Sequence, residues 1–327
     1  MPLRHELHSQ LFTRPPVPTA DFSGKTIIVT GSNVGLGKEA VQHFLRLKAS
    51  KVIMAVRSVR KGEDAKIEIT KNYKTAASAL EVWPLDYSNY ASCQDFAAKV
   101  ATLGRVDAVV LNAGIATEEW ELFEGHESQV TVNVISTTLL MLLILPTLYA
   151  TAEKYPSVTP VLTVVGSGVH AYTKFPEREN PKIFDSMDDK KISRMGDRYQ
   201  VTKLMSLFAV REVAEKTASK RPFVIINTVN PGLCYTELNR SAVGGTAVAM
   251  GVMKAMMAWT AEEGGRTLVF ASVAGQESHG VFISGSKIPN TGQSKFVTSA
   301  EGKRTQKKMW GELAEILERI QPGISAI

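Results

Sequence analysis

Short runs of apolar, largely β-branched residues recur along the first 230 positions: Thr26–Thr30, Lys51–Val56, Ala79–Trp83, Val106–Leu111, Pro160–Val165 and Phe223–Val229. Each run is continuous rather than alternating, the pattern of strands covered on both faces in a parallel sheet. Between them lie amphipathic stretches of helical period: Lys38–Leu47, Arg60–Tyr73, Tyr90–Leu103, Ser128–Ala150 and Tyr199–Thr217. A further strand is expected at Gly280–Ser284 and a last helix from about Gln306 to Ile320. This alternation predicts an α/β, Rossmann-like doubly wound fold. Its seven-stranded sheet is mostly parallel, with helices on both faces, in a single domain.

Three segments break the rhythm. Residues 1–22 read as an N-terminal arm, stiffened by Pro15, Pro16 and Pro18, ahead of a domain spanning 23–327. Residues 171–197 are polar and Pro-containing, and residues 241–259 are rich in Gly, Ala and Met; both are expected on the substrate side as loops or lids. The longest apolar run, Leu139–Leu145, is far short of the roughly 20 residues that span a bilayer, so it reads as a core or subunit-interface helix.

Composition adds mainly exclusions. With 44% hydrophobic and 21% charged residues the chain is ordinary globular material. The net charge of +6 is spread along the chain, and its densest cluster, Lys303, Arg304, Lys307 and Lys308, reads as a solvated helix face rather than a nucleic-acid patch. Cys93 and Cys234 give neither a disulfide framework nor metal-ligand spacing. With no apolar leader at the start, the expectation is a soluble, cytoplasmic protein without a membrane span.

The chemistry gathers at the carboxyl ends of the strands, where open α/β sheets bind ligands. Gly31, Ser32, Asn33, Gly35, Leu36 and Gly37 form a strand–turn–helix passage whose glycines let backbone approach a phosphate at a helix N-terminus. Arg57, about 20 residues further on, stands where an arginine pairs with a ribose 2′-phosphate, which favours NADP(H) over NAD(H). Asp86 ends the third strand, with Tyr87 next to it, and Asn112, Ala113 and Gly114 end the fourth. Pro231, Gly232 and Thr236 follow the sixth, placed to grip a carboxamide.

Tyr199 and Lys203 stand at i and i+4, on one helix face, so an ammonium can favour the phenolate of a proton-transferring tyrosine. Ser167, just past the fifth strand, can hold a substrate oxygen for it. Asn133 sits in an apolar helical stretch and needs partners there, either as a structural hydrogen-bonder or in a water relay toward Lys203.

Taken together in order, Thr30–Gly37, Asn112–Gly114, the set Asn133, Ser167, Tyr199 and Lys203, and Pro231–Gly232 resemble the short-chain dehydrogenase/reductase family. The stretch Ala55–Glu63, with Arg57 and Lys61, and the residues Val165–His170 are similar to its NADP-preferring retinol-dehydrogenase-like branch. The arm, with Phe12 and its prolines, is similar to fungal members found in secondary-metabolite pathways. The resemblance implies an NADP(H)-dependent oxidoreductase that interconverts a carbonyl and an alcohol on a hydrophobic small molecule. It also implies a homodimer or homotetramer. The alternatives are an NADP-bound protein of the same fold catalysing isomerisation or cyclisation, or a cofactor sensor without turnover. Three departures stand out: Gly166 where the branch often has serine, Thr202 where Ser-Lys is common, and a wider separation of Ser167 and Tyr199 along the chain than in minimal family members.

Overall fold

The computed structural model describes residues 10–236, 251, 257–288 and 293–327. The region expected at 241–259 therefore lies outside the described residues, apart from 251 and 257–259, and so do residues 1–9 of the arm. Seven strands form one sheet: β1 (Thr26–Thr30), β2 (Lys51–Val56), β3 (Leu80–Pro84), β4 (Ala108–Leu111), β5 (Val161–Val165), β6 (Ile225–Asn230) and β7 (Phe282–Ser284). Their order across the sheet is β3-β2-β1-β4-β5-β6-β7, and every pairing is parallel.

The main helices are α1 (Gly35–Arg46), α2 (Val59–Asn72), α3 (Tyr90–Ala101), α4 (Ser128–Lys154), α5 (Met195–Thr217), α6 (Ala261–Ala271) and α7 (Ala300–Ile320). They cover both sheet faces, and the strand pleat explains why. In β1, Ile27 and Val29 join one core with Ala40, Phe44 and Leu268 of α1 and α6. Ile28, pointing the other way, joins a larger core with residues of α3, α4, α5 and α7.

By length and composition α4 could cross a membrane, yet 83% of its apolar window is buried inside this fold. The Leu139–Leu145 run thus joins the main core, its helix lying against α3 and α5. Helix α6 has no counterpart among the sequence expectations. It begins with a reciprocal cap between Thr260 and Glu263. Gly264 and Gly265 let it lie directly on α1, since a Cβ at Gly265 would stand 2.9 Å from the Glu39 Cβ.

The arm runs over this α1–α6 face. Arg266 Nη1 donates to the Pro15 carbonyl (3.0 Å), Arg46 Nη2 to that of Pro18 (2.7 Å), and Phe22 meets Phe44 edge-on. On the other face, α7 docks on α5 through Lys307 and Gln306, which reach the buried Glu212 at 2.8 and 2.9 Å. Part of the basic cluster therefore holds the fold together, while Lys303 and Arg304 face solvent.

Candidate active site

The β1–α1 turn is built for close approach. Gly31 and Gly35 both take positive φ (62° and 58°), the left-handed region that costs glycine nothing. At Gly37 a Cβ would meet Asn112 Nδ2 at 2.6 Å and the Gly31 carbonyl at 2.7 Å. Asn112 fills that space by donating to the Thr30 and Gly31 carbonyls (2.9 and 3.1 Å). The backbone N–H groups of Asn112 and Ala113 both donate to Thr30 Oγ1 at 3.0 Å. Val34, at the N-cap of α1, makes no side-chain cap, so the first N–H groups of the helix stay directed at the turn.

Other residues take sides around this cradle. The Ser32 hydroxyl turns inward onto the Val29 carbonyl (2.9 Å), Asn33 is half-buried, and Leu36 packs against Gly264 of α6. Arg57 is exposed at the end of β2 and makes no ion pair among the described residues. Ser58 caps α2 by accepting from the Lys61 N–H at 3.4 Å, leaving the Lys61 side chain in solvent. Asp86 accepts from the Ser88 N–H and hydroxyl (2.9 and 2.8 Å). The Tyr87 ring is buried in the core and its hydroxyl lies 3.2 Å from Thr30 Oγ1, so its side chain braces the turn from behind.

The proton-handling groups converge from three elements. Tyr199 and Lys203 lie on α5, with the ammonium 5.7 Å from the phenol ring centre. Lys203 Nζ donates to the Val165 carbonyl at the end of β5 (2.8 Å). The Ser167 hydroxyl, two residues further along, stands beside the Tyr199 phenol and accepts from the Val169 N–H at 3.4 Å. Gly114 closes the other side, where a Cβ would come 3.0 Å from Asn133 Oδ1 and 3.6 Å from Lys203 Nζ.

Asn133 lies in a π-helical turn, Thr131–Ser136, within α4. Its side chain accepts from the Ile115 N–H (2.9 Å) and donates to the Ile115 carbonyl (2.8 Å) and to Thr202 Oγ1 (3.1 Å). It thus bolts the loop after β4 to α5, and Thr202 serves as well as a serine. Gly166 also has a reason: a Cβ there would meet Thr228 Cγ2 at 2.6 Å.

Burial dominates the electrostatics. It pushes the Tyr199 phenol above the ordinary range, against the lowering effect of the nearby Ser167 hydroxyl. Burial also drives the Lys203 amine down to about 8.

The turn after β6 adjoins both halves of the site. Asn230 Oδ1 accepts from the Gly168 N–H (3.1 Å), beside Ser167, and from the Gly232 N–H (3.2 Å). Pro231 is buried and Gly232 is left-handed at φ 78°. Thr236 reaches the glycine turn, its Cγ2 3.7 Å from where a Gly35 Cβ would stand.

The stretch 171–197 folds inward, which lets Ser167 and Tyr199 meet despite their separation. Phe175, Phe184 and Met187 enter the main core. A short helix, Ile183–Asp188, is capped by Glu312 of α7, and Asp188 binds the His126 ring at 2.7 Å. Arg198, fully buried beside Tyr199, faces Glu127 (3.5 Å) and Glu177 (3.4 Å). Sequence reasoning did not single out Asn230, Arg198 or His170. The His170 ring donates from Nδ1 to the Ser167 carbonyl (2.8 Å) and accepts from the Ser294 N–H (3.2 Å).

Comparison with known proteins agrees with this architecture. The family model for short chain dehydrogenases matches residues 25–167. The chain is 44% identical over 325 residues to a short chain dehydrogenase/reductase, dmxR8, of Cryptosporiopsis sp., covering 98% of each. It is 39% identical over 325 residues to the short-chain dehydrogenase anuD of Penicillium roqueforti, covering 98% of this chain and 84% of that one. Among solved structures it is similar in fold to an NADPH-bound carbonyl reductase from chicken fatty liver (TM-score 0.59, 20% identity, 80% of this chain and 97% of that one). The NADP complex of RhlG from Pseudomonas aeruginosa is comparable (TM-score 0.61, 19% identity, 82% and 96%). Matched along nearly its whole length by such relatives, the chain belongs to the short-chain dehydrogenase/reductase family of oxidoreductases.

Proposed function

We propose that this enzyme uses NADP(H) to interconvert a carbonyl and an alcohol on a hydrophobic small molecule, as a step in secondary-metabolite biosynthesis. The observation that carries the reading is the meeting of Ser167, Tyr199 and Lys203 beside a glycine cradle that a single Cβ would block. The cradle, the uncapped α1 and the unpaired Arg57 at the end of β2 fit a dinucleotide with a phosphate on its ribose. Asn112, Ala113 and Gly114 would lie along it, with Asp86 toward the adenine and Pro231, Gly232 and Thr236 toward the carboxamide.

When bound, NADPH supplies the hydride. The protein's own part is to hold the substrate oxygen between the Ser167 and Tyr199 hydroxyls and to deliver a proton from Tyr199. Lys203, anchored by Val165, has two N–H groups left, and its charge favours the phenolate that results. Asn133 holds the surrounding backbone in place.

The test is absorbance at 340 nm with hydrophobic ketones and either NADPH or NADH. Arg57→Ala is expected to lower kcat/KM for NADPH by about tenfold to a hundredfold and leave NADH almost unchanged, the worth of a charge-assisted contact. Equal losses with both cofactors would remove the case for the phosphate. No oxidation of NADPH with any ketone or aldehyde would favour the isomerase reading.

A further inference from the structure

Leu233 follows the left-handed Gly232 and belongs to no strand or helix, so its polar backbone groups need outside partners. They find them 223 residues away. Its N–H donates to Gln10 Oε1 at 2.9 Å, and its carbonyl accepts from Gln10 Nε2 at 2.9 Å. One side-chain amide thus pairs with both groups of one residue, as a neighbouring strand would. The same Nε2 has a second hydrogen, donated to the Met257 carbonyl at 2.9 Å.

The Gln10 backbone does a separate job. Its carbonyl accepts from the indole Nε1 of Trp259 (2.9 Å), a side chain only 2% exposed whose N–H would otherwise be buried without a partner. That indole lies over Gly232, where a Cβ would stand 2.9 Å from Cζ3. Trp259 in turn donates its backbone N–H to the Leu233 carbonyl (2.9 Å) and accepts from the Tyr235 N–H (2.9 Å). The segments at 233–235 and 257–259 are therefore laced together, and the arm ties the knot.

This turn is the one that adjoins the Ser167 loop through Asn230 and the glycine cradle through Thr236. We propose that Gln10 is a positioning residue: the arm sets the backbone of Gly232–Tyr235 for cofactor binding while touching neither cofactor nor substrate. The proposal rests on the function given above for the cofactor's identity.

Gln10→Met keeps the side chain's length and removes its hydrogen bonds; Gln10→Asn is the milder change should the first fail to fold. Hydrogen–deuterium exchange on the cofactor-free protein reads the clamp directly. The amides of Leu233 and Trp259 are expected to exchange about tenfold faster in the variant, those of β1 at the original rate, with the melting temperature nearly unchanged. Fluorescence titration with NADPH should give a Kd about three- to tenfold weaker, and KM for NADPH should rise more than kcat falls.

Unchanged exchange at Leu233 overturns the clamp. Faster exchange with an unchanged Kd overturns its service to the site. If the unmodified protein does not bind NADPH at all, the function proposed above fails instead, and the cofactor role of Gln10 falls with it, whereas the exchange data still decide on the clamp.

Discussion

Lys203 carries the sharpest pH signature in the molecule. Its ammonium is present below about 8 and lost above, because burial disfavours the charged form. The folded value lies under the ordinary 10.5, so the unfolded chain binds the extra proton between these limits. Burial of this charge is therefore a cost to stability that is full below pH 8 and relieved as pH rises toward 10.5. Activity runs the other way: kcat/KM for carbonyl reduction should be level near neutrality and fall above about pH 8, measured as a pH–rate profile. Tyr199→Phe should cut turnover by about 10²–10⁴-fold while NADPH binding persists, checked by stopped-flow and fluorescence titration. The spacing of Tyr199 and Lys203 made this pair legible before any coordinates. The inward turn of Tyr87 was not, since which way a side chain faces at a strand end depends on packing from distant helices. The grip of Gln10 on Leu233 was equally hidden, because nothing local marks a contact across 223 residues.

At the scale of elements, the stretch 171–197 is held by a buried ionic knot. Arg198, Glu127 and Glu177 are almost wholly out of water, and Glu127 also accepts from the N–H groups of Gln129 and Val130 at the start of α4. Arg198→Met would leave two buried carboxylates without their cation, a loss of roughly 3–5 kcal/mol by the usual cost of breaking such a pair. Burial already raises Glu127 above the ordinary carboxylate value. Protonation therefore suits the folded state, and the variant's deficit in a urea melt should shrink as pH falls toward 5. A deficit independent of pH would contradict this account. The sequence made the strands plain through their continuous apolar runs, but passed over α6. Its signal was present in Thr260 and Glu263, a cap spaced for a helix start, yet it followed a Met-rich tract that drew the eye to loops. The fold of 171–197 was illegible for another reason: Phe175, Phe184 and Met187 are too sparse to show a period, and they are buried one by one.

Across the whole molecule, the apolar runs announced the layered α/β plan, and the pleat of each strand divided the core in two. Both cysteines, one in each half of the chain, are buried and free, and burial pushes each thiol up to about 12. The native protein should therefore show no fast thiol toward a disulfide reagent, and two after unfolding; a rapid reaction in the native state would mean that one of them is open.

The parallel run of all seven strands has a practical corollary. The proposed catalytic and cofactor residues gather at the carboxyl ends of the strands, so the amino-terminal edge, about five residues or roughly 17 Å away, lies clear of them. Exposed Ser219, between α5 and β6, lies on that edge. With the native sulfurs shielded, Ser219→Cys would give a dye or a surface tether one address only, on the side where immobilisation leaves catalysis undisturbed.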